Sequence, residues 1–399
     1  MHQNHISIPL GLRGMRVIGP EVGRDGQIRV VVVATRKGAR CPYCERWCVK
    51  RHDTRARAKA DEPLGERRVT LVVLRRRFHC FACARHFTEP DPACDARRRL
   101  TKRLRERLAA ACASQTVADV AATYQVGPTT VRRAFAESQD HVREVEPPPP
   151  PRVLGIDDFS IRKGQRYATG FHDLERHATV EVVEGRTQAV VQPILEALNA
   201  QETIAVVSMD MAKAYRAAAQ EVLPEATIVV DKFHVIKRVG EAVRDLHRRL
   251  ARGKDREDPL RKVRPLLRQP RERLTIAQRV TLDAALCPFP ALRKAYLLYE
   301  DLRRWYRQST PTDARLELLA WRRTVADLPD AAEFSSLTTM FTEWQEEILA
   351  YFTHRVTQGV VEGKNNRAKV IERQAYGYRN FPNLRRRILN QSGRPPKRR

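Results

Sequence analysis

Asp157 and Asp210 each stand directly after a short apolar run, Val153-Leu-Gly-Ile156 and Ile204-Ala-Val-Val-Ser-Met209. Carboxylates at the ends of buried strands in one sheet can converge on one edge, where α/β active sites collect. Their hard oxygens suit Mg²⁺, which usually keeps several waters of its own. Two such ions about 3.5–4 Å apart can activate an attacking water or 3′-hydroxyl and stabilise the leaving oxygen of a phosphodiester. Mn²⁺ could substitute. Two aspartates hold two ions poorly, so a third carboxylate is needed. Glu362 fits, because on a helix it shares one face with Asn366 and Lys369 by i, i+4 and i+3 spacing. That face would offer a metal ligand, an amide and a phosphate-binding ammonium together. Taken singly, each acid could equally be a strand-end cap or part of a solvated face.

Two neighbours complicate this set. Asp158 adjoins Asp157, but alternation along a strand lets only one of them face a shared site. Asp231 closes a further apolar run, Ala226-Thr-Ile-Val-Val230, and competes with Asp210 as second ligand. His234 follows it by three residues, and both are read as groups that support the metal ligands or position DNA. In the later helical stretch, Arg303, Arg304, Trp305 and Tyr306 mix cations with aromatics, and a core aromatic pair on a basic helix is the preferred reading.

A second chemistry lies in the cysteines. Cys41-Pro-Tyr-Cys44 and Cys80-Phe-Ala-Cys83 are two knuckles able to complete one tetrahedral tetrathiolate site. With all four positions sulfur, a structural Zn²⁺ is expected. His79 could compete as a ligand. Cys48, Cys94, Cys112 and Cys287 stand alone and read as ordinary thiols. Paired cysteines of this kind point to metal and away from disulfides.

The elements needed to position these groups follow from composition. Residues 1–95 hold all but two of the cysteines and short β-type runs such as Ile28 to Ala34 and Val69 to Leu74, as a zinc ribbon would. Residues 96–145 are rich in Ala, Arg and Leu at helical spacing. There, Thr116 to Tyr124, a turn at Gln125-Val-Gly127, and a helix opening at Pro128 give a helix-turn-helix layout. Thr129, Thr130, Arg132 and Arg133 would meet DNA from the start of the second helix. Glu146 and the five prolines Pro147 to Pro151 form a stiff linker, 146–151. Strands and helices then alternate to Asp231, helices run from about 236 to 355, and one more helix spans Gln358 to Ala375. The domain bounds are therefore 152–391 for this part, with a basic tail at 392–399.

Charge supports a polyanionic partner. Lys and Arg number 74 against 47 Asp and Glu, a formal +27 with a pI near 10.4. Spread cations of this number fit phosphate neutralisation along nucleic acid. No apolar run reaches the length of a membrane span, so no membrane role is expected. The N-terminus lacks a signal-peptide pattern, and a cytoplasmic, nucleoid-associated setting is expected.

The succession Ile156-Asp-Asp-Phe-Ser-Ile-Arg-Lys-Gly164, Ser208-Met-Asp-Met-Ala-Lys-Ala-Tyr215, Asp231-Lys-Phe-His-Val235, Glu362-Gly-Lys-Asn-Asn366 and Arg373 to Phe381 resembles the ISL3 family of insertion-sequence transposases. The knuckles and helix-turn-helix fall in the same family order. The resemblance implies a DDE catalytic domain of ribonuclease-H-like fold, with Asp157, Asp210 and Glu362 as metal-binding triad. It also implies that the all-α stretch is an insertion into that fold. The expected whole is multidomain, binding double-stranded DNA at transposon ends and target as a homodimer. Two rivals are a DNA-binding regulator that cuts nothing and a nuclease of the same fold without strand transfer.

Overall fold

The computed structural model describes residues 12–392, apart from 13, 24–25, 92–97, 146, 163, 200–201, 308–309 and 329. Cys94, Glu146 and the tail beyond Ser392 lie outside the described residues. The chain divides into two compact units, Met1–Pro147 and Pro148–Arg399, parting within the proline run. Polyproline has no internal hydrogen bonds and cannot join a sheet ladder.

The first unit carries strands β1 (Met15–Val22), β2 (Ile28–Ala34), β3 (Ala39–Arg40), β4 (Trp47–Cys48), β5 (Arg51–Leu64), β6 (Arg67–Cys80) and β7 (Arg85–Thr88). The main sheet runs β1-β2-β6-β5, with β7 on the end of β6, and β3 pairs β4 separately. Val69, Leu71 and Val73 alternate inward along β6 and pack on Val30 and Val32. Helices α1 (Lys102–Ala111), α2 (Val117–Thr123) and α3 (Pro128–Val145) follow. Their core is Leu104, Leu108, Val120, Val131 and Phe135. Ribbon and helices form one unit. Asp61 of β5 accepts from Thr101 Oγ1 at 2.7 Å and from the Arg103 guanidinium.

The second unit contains β8 (Val153–Arg162), β9 (Arg166–Asp173), β10 (Ala178–Glu184), α4 (Gln188–Leu198), β11 (Val206–Met209), α5 (Lys213–Val222), β12 (Thr227–Val230) and α6 (Lys232–Leu250). Its sheet has the order β10-β9-β8-β11-β12. β8, β9 and β10 are antiparallel neighbours, while β11 runs parallel to both β8 and β12. Helices α7 (Pro259–Lys262), α8 (Ile276–Leu286), α9 (Pro290–Trp305), α10 (Pro311–Ala326), α11 (Ser335–Glu343) and α12 (Gln345–His354) precede α13 (Gly359–Gln374) and α14 (Phe381–Ser392).

Alternation along β8 explains the layering. Leu154 and Ile156 face α4 and α5, packing with Val191, Leu195 and Tyr215. Val153 joins the core of the helical stretch, and Phe159 and Ile161 pack under α13 and α14. Asp157 occupies that second, otherwise apolar row. The helical stretch is no detached lobe, because Tyr296, Phe341 and Ile348 are continuous with Val206, Val229 and Val230. Trp305 and Tyr306 are buried in that core, Arg303 is bound to Glu300 and the Tyr299 hydroxyl, and Arg304 to Asp301. The core-pair reading of these aromatics holds. Among the described residues, no helix is long and apolar enough to cross a membrane.

Candidate functional site

Asp157 does not end its strand, as its apolar prelude predicts. β8 continues through it to Arg162, with Asp157 paired to Gly170 of β9. What ends is the parallel ladder to β11, whose last pair is Ser208 with Gly155. Beyond it β8 and β11 diverge, leaving a cleft with Asp157 on one side and Asp210 on the other. The amide of Gln358, the residue before α13, fills the fork. Its Nε2 donates to Ile156 O at 3.1 Å and Ser208 O at 2.7 Å. Replacing Gln358 with Ala orphans two buried carbonyls, at roughly 1–3 kcal/mol each. A lowered denaturation midpoint of the second unit is the expected result, and a wild-type midpoint would count against this role.

The cleft opens into a cavity of about 690 Å³ lined by Asp157, Asp210, His234, Glu362, Asn366 and Lys369, among others. Asp157, Asp210 and His234 each place a ligand atom within 4.8 Å of the others. Among the described residues, Asp210 Oδ1 is buried without a hydrogen-bond partner. Two carboxylates and an imidazole in this arrangement form a donor set that fits a divalent cation. Glu362 lines the same cavity from the first turn of α13, exposed and outside that close group.

Burial dominates the electrostatics of the site. Burial, reinforced by Asp210 and opposed by His234, pushes Asp157 up to about 6. Burial likewise raises Asp210. Burial works against the His234 imidazolium, but Asp231 outweighs it, with Asp157 and Asp210 adding, and its pKa stands above the ordinary value. Asp231 lines the same cavity outside that close group. Its Oδ2 lies 3.4 Å from His234 Nδ1 and its Oδ1 accepts from the Gln358 backbone. Asp158 lies on the opposite strand face, 3.5 Å from Arg186.

Sequence reasoning missed Asn365. Its Nδ2 donates to Asp157 Oδ2 at 2.8 Å, whereas the expected Asn366 lines the cavity and is exposed. The signal was present, because Asn365 is i+3 from Glu362 and i−4 from Lys369. Helix α13 reaches Asp157 because Gly155 lacks a side chain. A Cβ there would fall 2.7 Å from Leu174 and 3.0 Å from Val361.

In the first unit, Cys41 and Cys83 sulfurs lie 3.6 Å apart and Cys44 and Cys80 sulfurs 3.5 Å. All four fall within one 4.8 Å group. Those separations exceed a disulfide and approach the edge of a tetrathiolate with metal–sulfur bonds of about 2.3 Å. Each knuckle ends on a residue with positive φ, Glu45 and Ala84. His79 stays out of the group and packs against Phe81 and His86. Cys48 is buried beside the four, and its thiol bonds Arg46 O. Cys112 is in the helical core and Cys287 is exposed.

Helix α2 starts at a Thr116 capping box with Asp119. The expected turn to α3 takes its positive φ at Gln125, whose amide is anchored to Arg68 and Glu66. Thr129, Arg132 and Arg133 are exposed on α3, while Val131 and Ala134 are buried. Thr130 and Arg133 line a cleft with Arg98, Arg99 and Arg105.

Comparison with known proteins matches the acid-lined cavity and the helix-turn-helix to one family. Residues 154–388 match the DDE model of the ISL3 family, described as a transposase. Residues 92–138 match the helix-turn-helix domain of transposase family ISL3. The chain belongs to the ISL3 family of transposases. The transposase for insertion sequence element IS1001 of Bordetella parapertussis is 32% identical over 362 residues, 88% of each chain. The transposase for insertion sequence element IS1557 of Mycobacterium tuberculosis is 26% identical over 258 residues, 57% of each. This transposase therefore joins a helix-turn-helix DNA-binding domain to a DDE catalytic domain, an assignment that implies a divalent metal.

Proposed function

We propose that the chain binds the terminal inverted repeats of its own insertion sequence and catalyses Mg²⁺-dependent strand cleavage and strand transfer there. The observation that carries this reading is the convergence of Asp157, Asp210 and His234 on a cavity also lined by Glu362. The sheet order, three antiparallel strands followed by two parallel ones, supports a ribonuclease-H-like fold. In that fold the helical stretch before α13 is an insertion.

In this reading Asp157, Asp210 and Glu362 hold the catalytic ions, Mg²⁺ or Mn²⁺. When bound, the ions supply charge stabilisation at the attacking and leaving oxygens. Asn365 fixes the Asp157 carboxylate. Asp231 is a positioning residue, holding His234 against the two aspartates. Lys369, Lys237 and Arg238 line the cavity and neutralise the DNA backbone beside the scissile phosphate. Positioning and charge dominate such chemistry, so no covalent enzyme intermediate is expected. The four cysteines hold a structural Zn²⁺. Two ends must be cut and joined together, so the working assembly on DNA is at least a homodimer. The setting is the bacterial cytoplasm, at the nucleoid.

Recognition of the ends falls to α3. Arg133→Ala is expected to weaken binding by about 1–3 kcal/mol, selectively if Arg133 reads a base and uniformly if it holds a phosphate. Gel retardation on matched and mutated ends measures both, and unchanged affinity on every probe would remove Arg133 from the interface.

The deciding experiment is cleavage of labelled DNA carrying the element ends, with Mg²⁺ or EDTA, by the native chain and Glu362→Ala. Discrete end cuts, lost with EDTA and in the variant, with joined products, are expected. Binding without cutting would overturn the reading in favour of a regulator, and cuts that never join would leave a nuclease.

A further inference from the structure

We propose that the two cysteine knuckles form a second DNA-contacting surface, in which Tyr43, Trp47 and Phe81 seat unpaired bases and the surrounding cations hold the strand. The segment carrying it precedes both family matches, which begin at residues 92 and 154. The inference rests on the end-recognition reading only in taking DNA as the ligand.

Large aromatics dominate cores because they bury so much apolar area. Of the four tryptophans, Trp305, Trp321 and Trp344 are buried, whereas Trp47 is 51% exposed. Tyr43 and Phe81, one in each knuckle, are 57% and 71% exposed. These rings are held in place. A Cβ at Gly38 would fall 2.4 Å from Cys48 O and 2.8 Å from Trp47 Nε1, so the indole lies directly on a bare backbone. Each knuckle tip is braced by a cation from the other knuckle's side of the site. Arg85 lies 4.7 Å from the Tyr43 ring centre and Lys50 5.1 Å from that of Phe81.

The charge around the rings selects the partner. Residues 36–51 contain Arg36, Lys37, Arg40, Arg46, Lys50 and Arg51, all exposed, against the single acid Glu45. An apolar protein partner would meet unpaired positive charge on this face, whereas a nucleic acid strand neutralises it. Rigid aromatic faces interleaved with cations match how proteins hold single strands, by stacking on bases and pairing with phosphates. Bases inside an intact duplex are stacked on one another, so the rings require a frayed or opened end.

Trp47 supplies its own reporter. Tryptophan emission of the full chain is followed while element-end DNA with a mispaired tip is added, and again with the fully paired duplex. The expected result is quenching by the mispaired end, weaker with the paired one and absent in Trp47→Phe. Tyr43→Ala and Phe81→Ala are each expected to weaken binding of the mispaired end by roughly 5- to 100-fold, a loss in the range of one stacked base. Metal content of each variant, measured alongside, must stay at the native level. Equal or absent quenching on two probes that both bind would overturn the proposal while leaving end recognition intact. Emission that shifts with protein concentration and no DNA would also overturn it, showing that a second copy covers the face. Failure of both probes to bind would overturn the end-recognition reading instead.

Discussion

Asp157→Asn is expected to abolish strand cleavage, by on the order of a thousandfold or more, while making the metal-free protein more stable. The two effects have one cause. Asp157 is a mostly buried carboxylate facing Asp210, with Asn365 on one oxygen and the Asp158 backbone on the other. Burial raises its pKa to about 6, from an ordinary value of 3.8. The folded state therefore keeps a proton between about pH 4 and 6 that the unfolded chain has released. Stability is greatest below that window and falls as pH rises through it. The raised Asp210 and the raised His234 act in the same direction. An asparagine of the same shape removes the buried charge, worth roughly 1–3 kcal/mol at pH 8. Thermal melts in EDTA from pH 4 to 8 should show the native protein losing stability with pH and the variant losing less. Added Mg²⁺ should restore the native protein and leave the variant unmoved. A variant that still cuts at the native rate would remove Asp157 from the catalytic set.

Cys80→Ser is expected to cost the first unit its knuckle fold and its tight DNA binding. The apolar core at that end is small, made of Ala39, Phe78 and Phe87 with the cysteines themselves. Structural Zn²⁺ binding is worth about 10–16 kcal/mol in small zinc modules, far more than those few apolar contacts supply. The α1–α3 core is separate, built on Leu104, Val120 and Phe135, so it should survive. Limited trypsin digestion reads this directly. Cleavage at Arg40 or Arg46 should become fast in the variant or with a strong chelator, while the second unit stays protected. Unchanged digestion with no metal bound would mean that the thiols pack without an ion.

The aspartates were legible in sequence because each follows a short, largely apolar run. Asp157, Asp210 and Asp231 were all found this way, and the paired cysteines by spacing alone. Sequence favoured Asp210 over Asp231 as second ligand, although both close largely apolar strands. In the structure Asp210 shares a close group with Asp157 and His234, and Asp231 approaches His234 and the Gln358 backbone from outside that group. Asn365 and Gln358 were missed because their roles depend on elements far apart in the chain. Asn365 meets Asp157 only because α13 lies against Gly155, and Gln358 matters only because β8 and β11 diverge. The Gln125-Val-Gly127 turn was legible from its glycine, but not the left-handed backbone at Gln125. Its side chain is held by Arg68 and Glu66 of a distant hairpin, which stabilises a conformation that local preference disfavours.

The amino-acid sequence by itself determined the parts and their order: the metal knuckles, the helix pair, the proline boundary, the strand-borne acids and the family. Residue type, spacing and local hydrophobic period set these, and all act over a few residues. Only the tertiary structure decided which acid faces which, that an imidazole joins the aspartates while Glu362 stands at the cavity wall, and that three aromatics remain uncovered on the knuckles. Those outcomes depend on where strands part, how closely a helix can lie on a glycine, and what else is available to bury a ring. Each is a property of contacts between distant segments, which no local pattern encodes.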